Sequence, residues 1–155
     1  MELLNPACPL HGPGIDPSSL VGSRLVGVLA SWHIYDGHPG DGPVEVWLID
    51  DRGGSTNIAS GTDWCLMVES SGPEDGFDMG EWGRIDVLPV GDETPFAAHL
   101  GEAVLEVRQE WEPATGRVAL ELDFPSGSVR CESWSGDLRL LAVDRPADPT
   151  TPPMP

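Results

Sequence analysis

Residues 101–111 read GEAVLEVRQEW, and this stretch indicates the fold class of the chain. Apolar residues recur at alternate positions, among them Ala103, Val107 and Trp111, and Glu or Arg occupies most positions between them. Alternation with a period of two is typical of a strand that buries one face. A helix would instead stack three glutamates, spaced four residues apart, in one like-charged stripe. The pattern therefore predicts a β-strand.

The segments that follow continue this alternation. They read RVALELDF (117–124), SVRCESW (128–134) and DLRLLAV (137–143), and the turn sequences FPSGS and WSGD separate them. Short alternating runs divided by Gly, Pro, Ser and Asp are typical of antiparallel strands joined by tight turns. Residues 101–143 are therefore predicted to form a four-stranded meander.

A second set of segments, earlier in the chain, matches this one. GSRLVGVLASW (22–32) is followed by PVEVWLID (43–50) and GGSTNIASGTDWCLMV (53–68). An alignment of the two sets pairs Gly22 with Gly101, Val28 with Val107, Trp32 with Trp111, Val44 with Val118 and Leu48 with Leu122, and more loosely Asp63 with Asp137 and Leu66 with Leu140. We interpret this as an internal repeat, 22–68 and 101–143; the alternative is chance similarity between two β-rich halves.

The whole pattern predicts an all-β protein with little helix. Two similar four-stranded meanders form an antiparallel sandwich or barrel in a single β domain, residues 21–144. An irregular acidic connector, 69–100, joins the repeats; within it, Ile85 and Val87 suit one extra strand and TPFAAHLG suits a helical turn. Residues 1–20 are predicted to be irregular, and the Pro-rich tail, 145–155, to be disordered.

The charge balance restricts the class of partner. The chain has 26 Asp and Glu, eight Arg and no Lys, for a formal net charge of -18. Such a charge repels nucleic-acid phosphates and anionic membranes and attracts a basic protein surface. We therefore expect a basic protein partner, with no nucleic acid and no membrane. The absence of Lys, with abundant Gly, Ala, Arg, Asp and Pro, is typical of a GC-rich bacterial genome.

Targeting and cysteine signals favour the cytoplasm. The opening MELLNPACPLHGPG lacks a basic start and a long apolar run, and no later stretch is long and apolar enough to span a bilayer. Three cysteines, at 8, 65 and 131, are an odd set that does not indicate a disulfide framework. Cys65 and Cys131 lie in predicted strands and are expected to be small buried hydrophobes.

No motif indicates catalysis, so the chain is predicted not to be an enzyme. It lacks a GxSxG nucleophile motif, a phosphate loop and a dinucleotide fingerprint. Cys8 with His11, or His33 and His38 with Asp36 or Asp41, offers too few ligands for zinc. Acids of the connector have oxygen ligands for calcium but not the EF-hand spacing. No metal and no cofactor are therefore expected.

Five of the six tryptophans divide into three groups. Trp32 and Trp111 lie on apolar strand faces and are expected in the core. Trp47 and Trp134 lie on the opposite face of their strands, beside Glu45 and Glu132, where they either contact a partner or cover a second layer. Trp82 lies in the acidic connector as GEWG, which favours an interface. The predicted partner-binding residues are Trp82, Glu74, Asp75, Asp78, Glu81, Trp47 and Trp134.

In general character, as a small, acidic, single-domain bacterial protein without catalytic motifs, the chain resembles toxin-neutralising immunity proteins. The first hypothesis is therefore an immunity-type inhibitor that binds a basic toxin, such as a nuclease, or another cationic protein. The second is a ligand-binding or catalytic β-barrel, for which His33, Tyr35, His38 and His99 are the candidate residues. The third is a structural subunit of a larger bacterial assembly. The oligomeric state is left open.

Overall fold

The computed structural model describes residues 15–40, 42–61, 65–73, 75–89, 94–134 and 137–143. These residues form an all-β fold with three short 3₁₀ turns, at Pro17–Leu20, Gly80–Trp82 and Pro95–His99. The strands are β1 (Leu25–Tyr35), β2 (His38–Pro39), β3 (Glu45–Asp50), β4 (Ser55–Ser60), β5 (Leu66–Ser70), β6 (Phe77–Asp78), β7 (Arg84–Pro89), β8 (Glu106–Glu112), β9 (Gly116–Phe124), β10 (Gly127–Trp134) and β11 (Asp137–Val143).

The strands form two antiparallel sheets. The first has the order β5-β4-β3-β1-β7-β6, and the two-residue β2 pairs with the end of β1. The second has the order β11-β10-β9-β8. Within the described ranges no strand joins the edges of either sheet, so the sheets do not close and the barrel alternative is wrong. The predictions of an all-β fold and of little helix are confirmed.

Both sheets contribute to one hydrophobic core. Val46, Ile58 and Val68 of the first sheet and Leu120 and Val129 of the second are completely buried in it. In β8 half-buried side chains alternate with exposed ones, and Val129 and Cys131 of β10 lie in this core, as the alternation of the sequence predicts. Burial of one face of each sheet is the main stabilising contribution in such a fold.

Some apolar residues do not follow the expected alternation. A register irregularity between Leu25 and Gly27 turns Leu25 into the core and leaves Val26 exposed. Val44 and Leu105 precede their strands and are exposed as well. A bulge shifts the facing of the residues beyond it, and alternation alone does not reveal where it falls.

The predicted connector, residues 69–100, is not irregular throughout, because its described part contains strands and 3₁₀ turns. β7 pairs with β1 along six residues, from Leu29 opposite Pro89 to Ile34 opposite Arg84. This strand contains Ile85 and Val87, and the helical turn expected in TPFAAHLG is the 3₁₀ turn Pro95–His99. The predictions for residues 1–14, the tail 145–155 and Glu74 fall outside the described residues.

Two segments that the sequence alignment pairs meet where the two sheets join. Arg24 and Ala103 form an isolated antiparallel bridge. Four backbone hydrogen bonds surround it in two matched pairs: Gly22 N–H to Val104 O (2.8 Å) with Gly101 N–H to Leu25 O (2.7 Å), and Leu25 N–H to Glu102 O (2.9 Å) with Val104 N–H to Ser23 O (2.8 Å). Gly22 and Gly101 both have φ of 89°, a left-handed conformation that favours glycine.

The strand registers can be compared in the same way. Val28 lies opposite Leu48 in the first sheet, and Val107 lies opposite Leu122 in the second, as the sequence alignment pairs them. The comparison extends to the following strands. Val46 of β3 lies beside Ile58 of β4, which lies beside Val68 of β5. In the second sheet Leu120 of β9 lies beside Cys131 of β10, which lies beside Leu140 of β11. Leu140 therefore lies at the register position that Val68 has in the first sheet, two residues along from Leu66, with which the sequence alignment loosely pairs it.

Candidate functional site: an acidic and aromatic hairpin end

Two hairpins meet at one end of the first sheet. The β1–β2 hairpin turns at Asp36 and Gly37, which have φ of 52° and 78°, the positive values of a two-residue hairpin turn. The β6–β7 hairpin turns through Gly80–Trp82, where Asp78 Oδ1 accepts a hydrogen bond of 2.7 Å from Gly80 N–H. We call this region, Tyr35–Asp36 with Asp75–Arg84, the hairpin end.

Two glycines allow the second hairpin to lie close to its neighbours. A Cβ atom at Gly83 would clash with the carbonyl oxygen of Ile34, and one at Gly76 would clash with that of Ile85. Gly83 also has φ of 95°. The sequence DGFDMGEWGR (75–84) therefore forms a close-packed hairpin because its glycines permit backbone contacts that a larger residue would prevent.

Three aromatic rings are exposed at the hairpin end. Tyr35 is 56% exposed, Phe77 is 54% exposed and Trp82 is 67% exposed. His33 lies among them: its ring centroid is 6.4 Å from that of Tyr35, and its Nε2 is 2.7 Å from the carbonyl oxygen of Trp82. Phe77 lies opposite Ile85, which in turn lies opposite His33 across the strands. Three exposed large rings in two neighbouring hairpins are typical of a binding surface.

Carboxylates surround these rings. Asp36, Asp75, Asp78 and Glu81 are all exposed. Among the described residues of the hairpin end, Arg84 is the one arginine, and its Nε donates hydrogen bonds of 3.0 and 3.1 Å to the carboxylate of Asp86. The hairpin end therefore has a strong excess of negative charge next to apolar surface.

Of the predicted partner-binding residues, Trp82, Asp75, Asp78 and Glu81 lie together in this region. Glu74 lies outside the described residues. Sequence reasoning did not include Phe77 or Tyr35, although the Asp-Gly turn after Tyr35 and the acids on both sides of Phe77 are visible signals.

Trp47 does not belong to this surface. It is 1% exposed, so the expectation that it presents its ring to a partner is not met in this fold. Leu29 and Asn57 lie directly opposite it on the neighbouring strands. Among the described residues its indole Nε1 has no hydrogen-bond partner.

Trp134 is 58% exposed and lies at a cavity of about 560 Å³. The guanidinium of Arg139 is 5.0 Å from the centroid of its ring. Leu138 and Leu140 contribute apolar wall, and Thr94, which is buried, has a hydroxyl without a hydrogen-bond partner among the described residues. Of the four residues considered for a ligand site, His33 lines this cavity; Tyr35, His38 and His99 are not among its described lining residues.

The outer face of the second sheet shows a different arrangement of acids. Arg108 donates to both carboxylate oxygens of Asp123, at 2.5 and 2.7 Å, and to Glu121 at 3.1 Å. Arg130 bonds Glu110 and, at 2.9 Å, Glu132. Hydrogen bonding to these carboxylates raises the pKa of both guanidinium groups, and the Arg130 hydrogen bond lowers the pKa of Glu110.

His99, Glu102 and Ser126 form the most enzyme-like cluster. Glu102 Oε1 is 3.0 Å from His99 Nδ1, and Ser126 Oγ is 3.1 Å from that same nitrogen. A catalytic triad needs the serine and the acid on opposite ring nitrogens. Here both contact one nitrogen, and His99 is buried against Phe124 with ring centroids 4.6 Å apart. The cluster therefore does not have the geometry of a catalytic triad. Its hydrogen bonds join the 3₁₀ turn Pro95–His99 to the turn between β9 and β10.

Within the described residues, neither the cysteines nor the potential metal ligands add a candidate functional site. Cys65 and Cys131 are both completely buried, as expected. Cys131 is a free thiol whose pKa is raised by burial, whereas Cys65 is disulfide-bonded, contrary to the expectation from an odd cysteine count. Within the described ranges, no three His, Cys, Asp or Glu side chains are grouped as metal ligands. The same residues contain no helix with the length and apolar character to cross a membrane.

Comparison with known proteins identifies no relative: no family model, no curated protein and no solved structure matches the chain.

Proposed function

We propose that the protein is an interaction module that binds a basic protein partner through the hairpin end. The observation that supports this most strongly is the grouping of three exposed rings, Tyr35, Phe77 and Trp82, with four exposed carboxylates. The one arginine described there is already bonded to Asp86.

The two components of this surface have separate roles. Carboxylates without a cationic neighbour attract a basic surface over a distance of about 8–10 Å at physiological salt, which raises the association rate. Aromatic side chains that enter a partner's pocket supply most of the affinity at a typical interface. Trp82, the most exposed of the three rings, is the proposed anchor.

The most concrete form of this proposal is an immunity-type inhibitor of a cationic toxin, such as a nuclease, in the cytoplasm of a bacterium. In that role the acids of the hairpin end occupy the cleft where the toxin binds its anionic substrate. Such an inhibitor needs no catalytic group or cofactor of its own.

The test is to recover partners from the source organism and to measure the affinity of each recovered basic protein at low and high salt. We expect affinity to fall at least about tenfold with added salt. Trp82→Ala should weaken binding by about 2 kcal/mol, as at a hot spot. Trp134→Ala is the matched control, because that ring is similarly exposed but lies at the cavity.

A comparison of two double variants tests whether the carboxylates of the hairpin end, rather than the net charge of the whole protein, speed association. Asp75→Asn with Glu81→Gln should slow association more than the equal charge change Glu69→Gln with Asp137→Asn. Equal effects of the two pairs, or binding that is insensitive to salt, would contradict the proposal.

The cavity beside Trp134 favours a second candidate function, the binding of a small ligand. Its volume of about 560 Å³ is in the range of small-molecule sites. Native mass spectrometry of protein purified from its source should then show a bound molecule, and Trp134→Ala should remove it. A partner-binding protein without a ligand would give the mass of the chain alone with both variants.

We also propose that the two four-stranded meanders are diverged copies of one unit. The matched hydrogen bonds about Arg24 and Ala103, the shared φ of Gly22 and Gly101, and the equal registers of Val28–Leu48 and Val107–Leu122 support this. Each meander alone would expose one apolar face, so the two should unfold together in a single transition.

A further inference from the structure

The two sheets differ at the strand that begins each meander. In the first sheet β1 lies between two neighbours, because β3 pairs with one of its edges and β7 with the other. The strand β7 is not part of either meander. It is an additional strand that satisfies the backbone groups along the second edge of β1.

In the second sheet β8 has the position that β1 has in the first. Val107 of β8 faces Leu122 as Val28 of β1 faces Leu48. Beyond β8, however, the described part of the chain supplies no strand comparable to β7. An edge of this kind presents a row of backbone donors and acceptors to which another strand can add.

The side chains on this edge indicate which strand would add. Glu106, Glu110 and Glu112 are exposed. Arg108 lies 3.6 Å from Glu106 and bonds Asp123 and Glu121 of the neighbouring strand β9, and Arg130 of β10 bonds Glu110. The acids of β8 and β9 outnumber these two arginines, so the edge keeps a net negative charge. A second copy of β8, paired antiparallel about Gln109, would place Glu106 opposite Glu112, so it suits the edge less well than a basic strand.

The chain's own C-terminal segment is a poor occupant on sequence grounds. Residues 144–155 contain five prolines, and proline lacks the amide hydrogen that a ladder requires. A basic strand from another protein meets both requirements of the edge, since it supplies backbone donors and opposite charge.

We infer that the free edge of β8 is a docking site for an extended basic segment of a partner protein, which adds to the second sheet as a fifth strand. This inference rests on the proposed function for the class of partner, but it assigns the contact to a different surface.

The test uses a probe peptide of about ten residues in which Lys and Val alternate, with hydrogen exchange of the backbone amides as the readout. The control peptide has the same sequence with N-methylated valines, so that charge is kept and ladder donors are lost. We expect the first peptide to slow exchange in residues 106–112 at least about fivefold, and the control peptide to leave it unchanged.

Two pairs of variants locate the contact. Glu106→Gln with Glu112→Gln should weaken the protection of residues 106–112, because both side chains are exposed on the edge. Asp75→Asn with Glu81→Gln should leave that protection intact. Strand docking at β8 would be wrong if the methylated peptide also slowed exchange in residues 106–112, or if slowed exchange were confined to the hairpin end. Neither result would contradict the proposed function. A peptide that protects neither surface would overturn the inference, whereas the proposed function depends on the separate partner measurement.

Discussion

The two halves of the molecule, residues 15–73 with the hairpin end and residues 94–143, use the same residue types in different ways. In the second half the acids of the outer sheet face alternate with Arg108 and Arg130 across neighbouring strands, so that their charges are partly neutralised within the fold. At the hairpin end the acids lie beside exposed rings, and the one described arginine there bonds Asp86. An acidic composition therefore does not indicate one function, because the role of each carboxylate depends on the groups within about 4 Å of it.

The largest difference is expected between the two corresponding tryptophans. Trp32 packs against the core and has β7 beside it, whereas Trp111 lies on the edge strand with the guanidinium of Arg117 5.1 Å from its ring. Trp32→Ala should cost about 3 kcal/mol of unfolding free energy, and Trp111→Ala about half of that. Urea unfolding of both variants measures this. Equal costs would mean that the open edge of β8 does not weaken the packing of the half-buried Trp111 ring.

A charge substitution should show the next largest effect. Asp123 is buried and accepts hydrogen bonds from Arg108 and, at 2.5 Å, from Ser128 Oγ. Asp123→Asn should therefore cost about 2 kcal/mol of unfolding free energy, because hydrogen bonds to a charged group are lost. Asp78→Asn at the hairpin end is the matched change and should stay within about 0.5 kcal/mol. Similar losses at the two sites, measured by denaturant unfolding, would remove the contrast between the halves.

The matched glycines should respond in nearly the same way. Gly22→Ala and Gly101→Ala each place a side chain at φ of 89°, which should cost about 1 kcal/mol. Gly22→Ala should cost slightly more, since its Cβ would lie 3.1 Å from Arg52 Nη2 and nothing lies as close at Gly101. Gly72→Ala, without positive φ or near neighbours, is the control for thermal unfolding. A neutral result at either glycine would argue against a shared junction.

The smallest effect concerns acid stability. Hydrogen bonding to Arg130 lowers the pKa of Glu110 below its ordinary value of 4.5. A lowered pKa in the folded state adds stability above the unfolded value, and this stability is lost as pH falls through the folded value. The unfolding free energy should therefore decrease between about pH 5 and pH 3, and less steeply in Arg130→Gln. Parallel pH profiles would show that this ion pair is already broken in solution.

The fold was accessible from the sequence wherever alternation was regular. GEAVLEVRQEW predicts β8, in which half-buried and exposed side chains alternate, and RVALELDF predicts β9, in which Ala119 and Asp123 on the other face are buried as well. The pairing of Val28 with Val107 anticipates the equal registers. The bulge at Leu25 and the pairing of β7 with β1 were not accessible, because both depend on contacts between distant segments. At the site, composition indicated Trp82 and its acids. It did not reveal the burial of Trp47, because burial of a ring depends on what covers it.

The junction between the halves has a consequence for how the chain folds. Each meander consists of hairpins between neighbouring segments, which form quickly because little chain entropy is lost. The bond from the Arg24 guanidinium to the carbonyl oxygen of Gly101 joins residues 77 positions apart. Contacts of such long range form only after a large loop has closed, so they slow folding more than they affect stability. The junction is therefore expected to be the late, rate-limiting step, during which the apolar faces of two formed meanders are still in contact with water.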